Sequence, residues 1–495
     1  MLSHRISPSS GPIFQISADQ GSHLIEKVTK WSSPDFSISL AFAGDLQVLR
    51  TQPNVKKLYL LVRANDSISA KHRVEKEVVS KELFDVLREK YDDASFDLFF
   101  WNKVHVVQGD VTMENLGIRD ATLIEVLLRD VDFIVNSAAT TRFIERYDVA
   151  LNTNTFGARN AILFAKKCVN LKMFLHISNS EKIVESDEVS TPRMETEIEL
   201  IESKMKEFKN NCTSENDTKI YMKKLGIERA NKFGWPNVYS FTKAMGEFQV
   251  AKLRGTIPVV IHRPTIILST YKEPFPGWIE GVRTIDQSII SYGKGELVCF
   301  PARLNAVVDV IPGDLVVNAM LASMISTNYS DNLNSILIYH VGSSAKNIMR
   351  FHVIPDTSHK YFSMNPYSKK DGELVAVKKP LFLPTLSLFS MYMFARYKLP
   401  LQFIFDGGII VFTKTEETIR KLNQIYKSCM QMAKAYSPYS LMFGRFDDTN
   451  TEMLRRRMNN KDQELFYFDP KCINWDQFMM EIHIPGVIKY GMNAE

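Results

Sequence analysis

A series of short apolar runs, each closing on a charged or small residue, most constrains what this chain can fold into. Lys56 to Arg63 (Lys-Lys-Leu-Tyr-Leu-Leu-Val-Arg) is the clearest of them. A run that is apolar at every position, not at alternate ones, reads as a strand buried on both faces. Such strands belong to parallel sheets covered by helices. Val104 to Asp110, Val131 to Ala139, Phe174 to Asn179 and Pro258 to His262 repeat the pattern, with helical stretches between them. This alternation predicts an α/β fold, a Rossmann-like doubly wound parallel sheet with ligands at the carboxyl ends of its strands. Upstream, Ile13 to Ser17 reads as a short strand and His23 to Trp31 as a short helix. Glu195 to Lys209 reads as a solvated amphipathic insertion.

Strand ends are therefore the places to look for chemistry. Arg63, followed by Lys71 and Arg73, suits an adenosine 2′-phosphate and so NADP over NAD, with a surface arginine at a strand end as the bland alternative. Asp110 beside Val111 suits an adenine-contacting turn. His105 and Asp110 also have the His-x4-Asp spacing of some acyltransferases, but His105 lies inside the strand pattern and points into packing. Ala138 and Ala139 let a backbone approach a cofactor closely, and equally suit helix–sheet packing. Asn154 opens a helix that runs to Cys168.

The sharpest pair is Tyr239 and Lys243. After the breaker Trp235-Pro236-Asn237 the run reads as a helix, so residues four apart share one face. A nearby ammonium favours phenolate and draws a tyrosine pKa from about 10 toward neutrality. That makes a proton donor for a carbonyl oxygen receiving hydride. Two common residues at helical spacing more often form a solvated face, so the pair depends on its surroundings for meaning.

With 495 residues the chain is long enough for two or more domains. A formal charge of +5 is small for that length and does not argue for nucleic acid, while a basic face toward an anionic membrane or a phosphorylated cofactor fits it. Cys168, Cys212, Cys299, Cys429 and Cys472 are scattered, without metal-ligand spacing, and read as free thiols in a reducing compartment. No metal site is expected. Met1 to Ser10 has no apolar run after its basic residues, so no signal peptide is expected there. Leu381 to Ala395 is the most apolar run, shorter than the roughly 20 residues a spanning helix needs. It reads as a core element ahead of a membrane-surface one, with Arg396 and Lys398 placed to meet headgroups.

Taken together, these residues resemble the plant alcohol-forming fatty acyl-CoA reductases of the extended short-chain dehydrogenase/reductase superfamily. The resemblance rests on Lys57 to Ala64, Gly109-Asp110-Val111, Ala138 to Phe143, Asn154 to Ala158, Gly234 to Glu247 and Arg263 to Gly281. Val308 to Asp314, Tyr339 to Ser344, Arg396 to Pro400, Phe468 to Lys471 and His483-Ile484-Pro485-Gly486 extend it to about nine-tenths of the chain. It implies reduction of long or very long chain acyl-CoA to a primary alcohol by two NADPH, through an aldehyde, for wax, suberin or related lipids. Tyr239 would donate the proton and Lys243 would bind the nicotinamide ribose. Arg63, Asp110, Val111, Ala139, Asn154 and Pro264 would frame the cofactor. The implied organisation is a divergent leader over 1–34, a reductase domain over 35–350 and a smaller C-terminal helical domain over 387–487. The implied setting is the cytoplasm or the cytoplasmic face of the endoplasmic reticulum, ahead of the plastid, with membrane-surface association and an open oligomeric state.

Two departures stand against the agreements. The family's Thr-Gly-x-x-Gly-x-x-Ala turn lets backbone N–H groups reach a diphosphate at a helix N-terminus. Counting back from Arg63 without a gap puts Asp35, Ile38 and Ala41 at those positions. The family's His-Val-Ser-Thr is here His176-Ile177-Ser178-Asn179, so the hydroxyl that orients the substrate carbonyl falls on Asn179, with Ser178 or Ser180 as substitutes. Either an active reductase or an impaired paralogue that binds lipid or a partner is compatible with these changes.

Overall fold

The computed structural model describes residues 27–31, 44, 46–52, 54–178, 193–326, 336–369, 371–399, 416–441 and 444–492. Its centre is a seven-stranded parallel sheet. The strands are β1 (Lys27–Trp31), β2 (Lys57–Val62), β3 (Val104–Gln108), β4 (Phe133–Asn136), β5 (Met173–Ile177), β6 (Val259–Pro264) and β7 (Ile336–Val341). Their order is β7-β6-β5-β4-β1-β2-β3. The direction of winding reverses between β1 and β4, which opens a crevice beyond the carboxyl ends of those two strands, where open α/β sheets bind ligands.

The apolar runs become strands because each feeds two cores at once. Along β2, Tyr59 and Leu61 enter one cluster while Leu58, Leu60 and Val62 enter the other, the period-2 alternation of a strand covered on both faces. The strand predicted over Phe174 to Asn179 ends earlier than its run suggested, with Ser178 just past β5.

One expectation fails at the start of the sheet. Lys27–Trp31, expected within a helix, is the central strand β1. Thr29 pairs with Tyr59 of β2 on one side and with Ile134 of β4 on the other. The two hydrogen-bonded neighbours override a weak local pattern, in which Lys27 and Lys30 break the apolar run that marks the other strands. The sheet thus begins inside the stretch assigned to a leader. Ile13 to Ser17 lies outside the described residues.

The helices that place the site are α1 (Ser67–Val74), α2 (Gly157–Ala165), α3 (Met194–Asn210), α4 (Glu215–Lys232) and α5 (Val238–Leu253). The insertion helix α3 is not simply solvated. Its Glu197 is fully buried, accepting from the Tyr147 hydroxyl at 2.7 Å and from Arg229 Nε of α4 at 2.9 Å. Beyond β6 come α6 (Thr284–Gly293), α7 (Gly313–Ser326), α8 (Val353–Met364), α9 (Leu386–Met393), α10 (Glu416–Ser440) and α11 (Thr449–Arg457).

The C-terminal helices do not stand apart from the sheet. Cys429 and Met432 of α10, Leu454 of α11 and Phe478, Met479 and Ile484 further on belong to the same apolar cluster as Leu58, Leu60 and Val62. The His-Ile-Pro-Gly segment is the pin. His483 is fully buried, with Nε2 3.0 Å from Asp286 Oδ1 of α6 and Nδ1 3.1 Å from Ser269 Oγ. This serine–histidine–aspartate set is buried and joins the C-terminal segment to α6 and to the stretch after β6, as a structural clamp. Beside it the backbone at Gly486 meets that at Gly277, where an added Cβ would lie 2.0 Å from the Gly277 carbonyl oxygen. Gly486→Ala therefore forces the two segments apart and is expected to cost about 3 kcal/mol, at the upper end for overpacking. Urea unfolding followed by circular dichroism checks this, and an unchanged midpoint would count against the clamp.

Candidate active site

The site is built on the first turns of α5. Asn237 caps that helix, its Oδ1 accepting from the Ser240 N–H at 2.8 Å. The capped turn aims Tyr239 and Lys243 at the sheet's carboxyl edge. One turn further on, Gly246 lies under the Asn154 carbonyl, where a Cβ would be 2.3 Å from that oxygen. A glycine is what lets α5 approach this closely. Lys243 is fully buried and donates to the Ile177 carbonyl at the end of β5, at 2.5 Å. The spacing correctly brought Tyr239 and Lys243 to one place, together with Ser178. All three face a cavity of about 690 Å³.

The electrostatics differ from the sequence expectation. Burial pushes the Tyr239 phenol above its usual value, with Tyr439 adding to the rise. Burial also lowers Lys243 from an ordinary 10.5 to about 8, opposed by Glu247 one turn along. The lysine donates to the Ile177 carbonyl, and desolvation, followed by Tyr439, sets the direction at the tyrosine. The phenol is thus protonated at neutral pH, the state a proton donor needs.

Ser178 is buried, with a hydroxyl that makes no hydrogen bond among the described residues. A buried unpaired hydroxyl is costly unless something else completes it, and this one faces the cavity. Asn179 and Ser180 lie outside the described residues.

The predicted cofactor residues divide into groups. Ala139 and Pro264 line the cavity, at the ends of β4 and β6. Asn154 does not line it. Its Oδ1 accepts from the Thr140 N–H at 2.8 Å, and its amide donates to the Thr140 carbonyl and to Thr242 Oγ1 at 2.9 Å. It braces the turn after β4 against α5, so its effect on a cofactor is indirect. Asp110 follows β3 and accepts from the Thr112 N–H and hydroxyl at 2.9 and 2.8 Å, while the buried Val111 offers its carbonyl to Asn160. Arg63 is exposed at the end of β2. Arg73 is committed to Glu77 and to the Arg63 carbonyl, and Lys71 sits 4.8 Å above the Trp101 ring, so Arg63 alone of the three remains suited to a phosphate.

Sequence reading missed several lining residues. Arg263, buried on β6, is clamped to Glu247 of α5 through two contacts, one of them 3.2 Å from Nε. Glu247 follows Lys243 by four positions, the same spacing that joins Tyr239 to Lys243, and that spacing could have flagged the glutamate. Tyr436 and Tyr439 of α10 pack on Phe143, which in turn stacks on Tyr239 at 6.2 Å. No local signal joins residues so far apart. Beyond this polar end the cavity is walled by Leu297, Phe300, Phe351, Phe382 and Met432.

The crevice therefore offers a proton donor, a lysine, an unpaired serine hydroxyl and small strand ends for a cofactor, opening on an apolar chamber. Residues 46–320 match a dinucleotide-binding family described as male sterility protein, and residues 396–494 match a second, C-terminal family with the same description. The chain is 44% identical to probable fatty acyl-CoA reductase 4 of Arabidopsis thaliana, over 90% of this chain and 93% of that protein. It is 41% identical to the alcohol-forming fatty acyl-CoA reductase of Simmondsia chinensis, over 90% and 94%. Among solved structures, the reductase domain of a nonribosomal peptide synthetase from Mycobacterium tuberculosis shares the fold, with a TM-score of 0.51, 16% identity and 92% and 96% coverage.

The buried lysine carries a pH signature. Between about pH 8 and 10.5 the unfolded chain holds a proton on Lys243 that the native chain does not, so stability rises with pH there. Below pH 8 the full penalty stands, about 3 kcal/mol. The parent's unfolding free energy is expected to rise by up to about 3 kcal/mol between pH 8 and 10.5, and Lys243→Met to abolish that rise. Chemical denaturation at several pH values reads this directly.

Proposed function

This chain belongs to the fatty acyl-CoA reductase family, and we propose that it reduces long or very long chain fatty acyl-CoA to the primary alcohol with two NADPH in succession. The observation that carries the proposal is the pairing of Tyr239, Lys243 and Ser178 with a largely apolar chamber in a single cavity. An acyl tail is buried by the chamber while its thioester carbonyl reaches the polar end.

The described residues fit a nicotinamide at that end. Lys243 is within the crevice, Ser178 has an unused hydroxyl, and Ala139 and Pro264 leave room for a close approach. Ala139, Pro264 and Lys243 would hold it, Arg63 would take the 2′-phosphate, and the bound dinucleotide supplies hydride. Ser178 donates a hydrogen bond to the substrate carbonyl. Tyr239 gives its proton to that oxygen as the carbonyl carbon is reduced, forming a hemithioacetal. When the C–S bond breaks, the hydroxyl proton leaves with the coenzyme A thiolate and the aldehyde remains. Once the phenolate has taken a proton from solvent, a second reduction, with the second NADPH supplying hydride, uses the same donor and gives the alcohol. Lys243, charged below about pH 8, offsets the negative charge left on Tyr239.

A cytoplasmic setting or the cytoplasmic face of the endoplasmic reticulum accords with free cysteines, and a role in wax or suberin synthesis accords with the family. The rival reading, an impaired paralogue, rests on Asp35, Ile38 and Asn179, which are outside the described residues.

Tyr239→Phe is expected to lower kcat by about 10²- to 10³-fold with acyl-CoA and with aldehyde alike, with NADPH binding kept. Product analysis after incubation with NADPH and C16 to C30 acyl-CoA tests the reaction, and an unchanged rate would remove Tyr239 from the donor role. Titration of nicotinamide fluorescence separates the cofactor question. If the chain binds NADPH only after Asp35→Gly and Ile38→Gly, the enzyme reading fails for the chain with its own residues there.

A further inference from the structure

The segment 381–399 carries more apolar surface than the fold uses. Within it, Phe389, Met393 and Tyr397, at i, i+4 and i+8, are buried against the body of the protein. This is the usual inward stripe of a surface helix, whose outward face is ordinarily polar. Here the outward face is apolar as well. Leu381, Leu386, Leu388, Met391, Phe394 and Leu399 are all exposed, Met391 by 64% and Phe394 by 47%. Scattered exposed apolar residues need no explanation, but a run of them on one segment does.

We infer that this outward face docks on an anionic phospholipid surface. Charge supports that occupant. Residues 375–399 contain Lys378, Lys379, Arg396 and Lys398 and no carboxylate. Arg396 and Lys398 are exposed beside the apolar face, with their charged ends 5.6 and 5.9 Å from the Tyr397 and Phe394 rings. Apolar side chains flanked by cations are what the headgroup boundary of an acidic bilayer takes up. A second copy of the chain fits less well, since a two-fold contact brings the patch onto itself and sets cation against cation. No described helix is long and apolar enough to cross a membrane, so the contact is with the surface.

The face also adjoins the cavity. Strand Leu381–Leu383 pairs with Cys299–Pro301, and successive side chains on it point opposite ways. Leu381 is exposed while Phe382 lines the cavity. One strand therefore separates the docking face from the apolar chamber, a placement that, on the reductase reading, brings the acyl site to the lipid. Docking itself does not depend on that reading.

Flotation of the purified full chain with vesicles of phosphatidylcholine, with and without 30% phosphatidylserine, tests the proposal. Binding is expected with phosphatidylserine and to weaken with salt. Leu388→Glu with Met391→Glu is expected to reduce binding at least tenfold, and Arg396→Gln with Lys398→Gln about 30-fold, roughly fivefold for each cation. Neither pair touches the catalytic end, so circular dichroism and turnover of a short, soluble acyl-CoA should match the parent. Tyr239→Phe should float as the parent does, which keeps docking separate from activity. Absence of binding to acidic vesicles overturns the proposal, as does equal flotation of the Leu388→Glu, Met391→Glu protein. A parent dimer that becomes monomeric on those two substitutions, without vesicle binding, assigns the face to a second copy and also overturns it.

Discussion

The arrangement around the site depends on one buried ammonium. Lys243 is held against the Ile177 carbonyl where β5 ends, with Glu247 one turn further along α5 and Arg263 of β6 clamped on that glutamate. Charge-assisted contacts thus fasten a single helix to two adjacent strands. Burying such charges is costly, and removing one partner of a buried pair leaves the other uncompensated. The set is consequently demanding about geometry, and Tyr239, four residues before Lys243 on the same helix, inherits that geometry. The spacing of Tyr239 and Lys243 has meaning because the lysine is pinned and not because two residues share a helical face.

How much of this was legible in the sequence depends on the range over which each force acts. Strands such as Lys57–Val62 and Phe133–Asn136 announced themselves because a two-sided burial is written into consecutive residues. β1 did not. Its place at the centre of the sheet comes from pairing with β2 and β4, and Lys27 and Lys30 obscure it locally. The meeting of Tyr239, Lys243 and Ser178 could be read, but not the direction in which Tyr239 is shifted. That direction is set by burial and by Tyr439, two hundred residues away. Distance in sequence also hid the role of His483. The segment is recognisable as a family ending, yet only the fold shows it contacting Asp286 and Ser269.

Burial of the site joins the two halves of the chain into one functional unit. The strand ends supply Ala139, Ser178 and Pro264, all before residue 265, whereas Leu297, Phe300, Phe351, Phe382 and Met432 wall the apolar chamber. Reaction chemistry belongs to the sheet, and the chamber belongs to the later half of the chain. The aromatic chain from Tyr239 through Phe143 to Tyr436 and Tyr439 crosses that division. A shared apolar core makes the join rigid, so the C-terminal helices are not an appendage that could be removed while leaving the site intact.

The same geometry sets apart the two ends at which a dinucleotide would be held. In a doubly wound sheet the diphosphate lies beyond the first strand, and the reacting carbonyl lies beyond the strands across the switch point. β1 stands at the switch point, paired with β2 and β4, while Asp35 and Ile38, which follow it in the chain, are outside the described residues. Ser178, Tyr239 and Lys243 are held on the other side of that point, at the end of β5 and on α5. In a sheet wound this way, the groups that meet a diphosphate and those that meet a reacting carbonyl therefore come from different strand ends, β1 on one side of the switch point and β5 with α5 on the other.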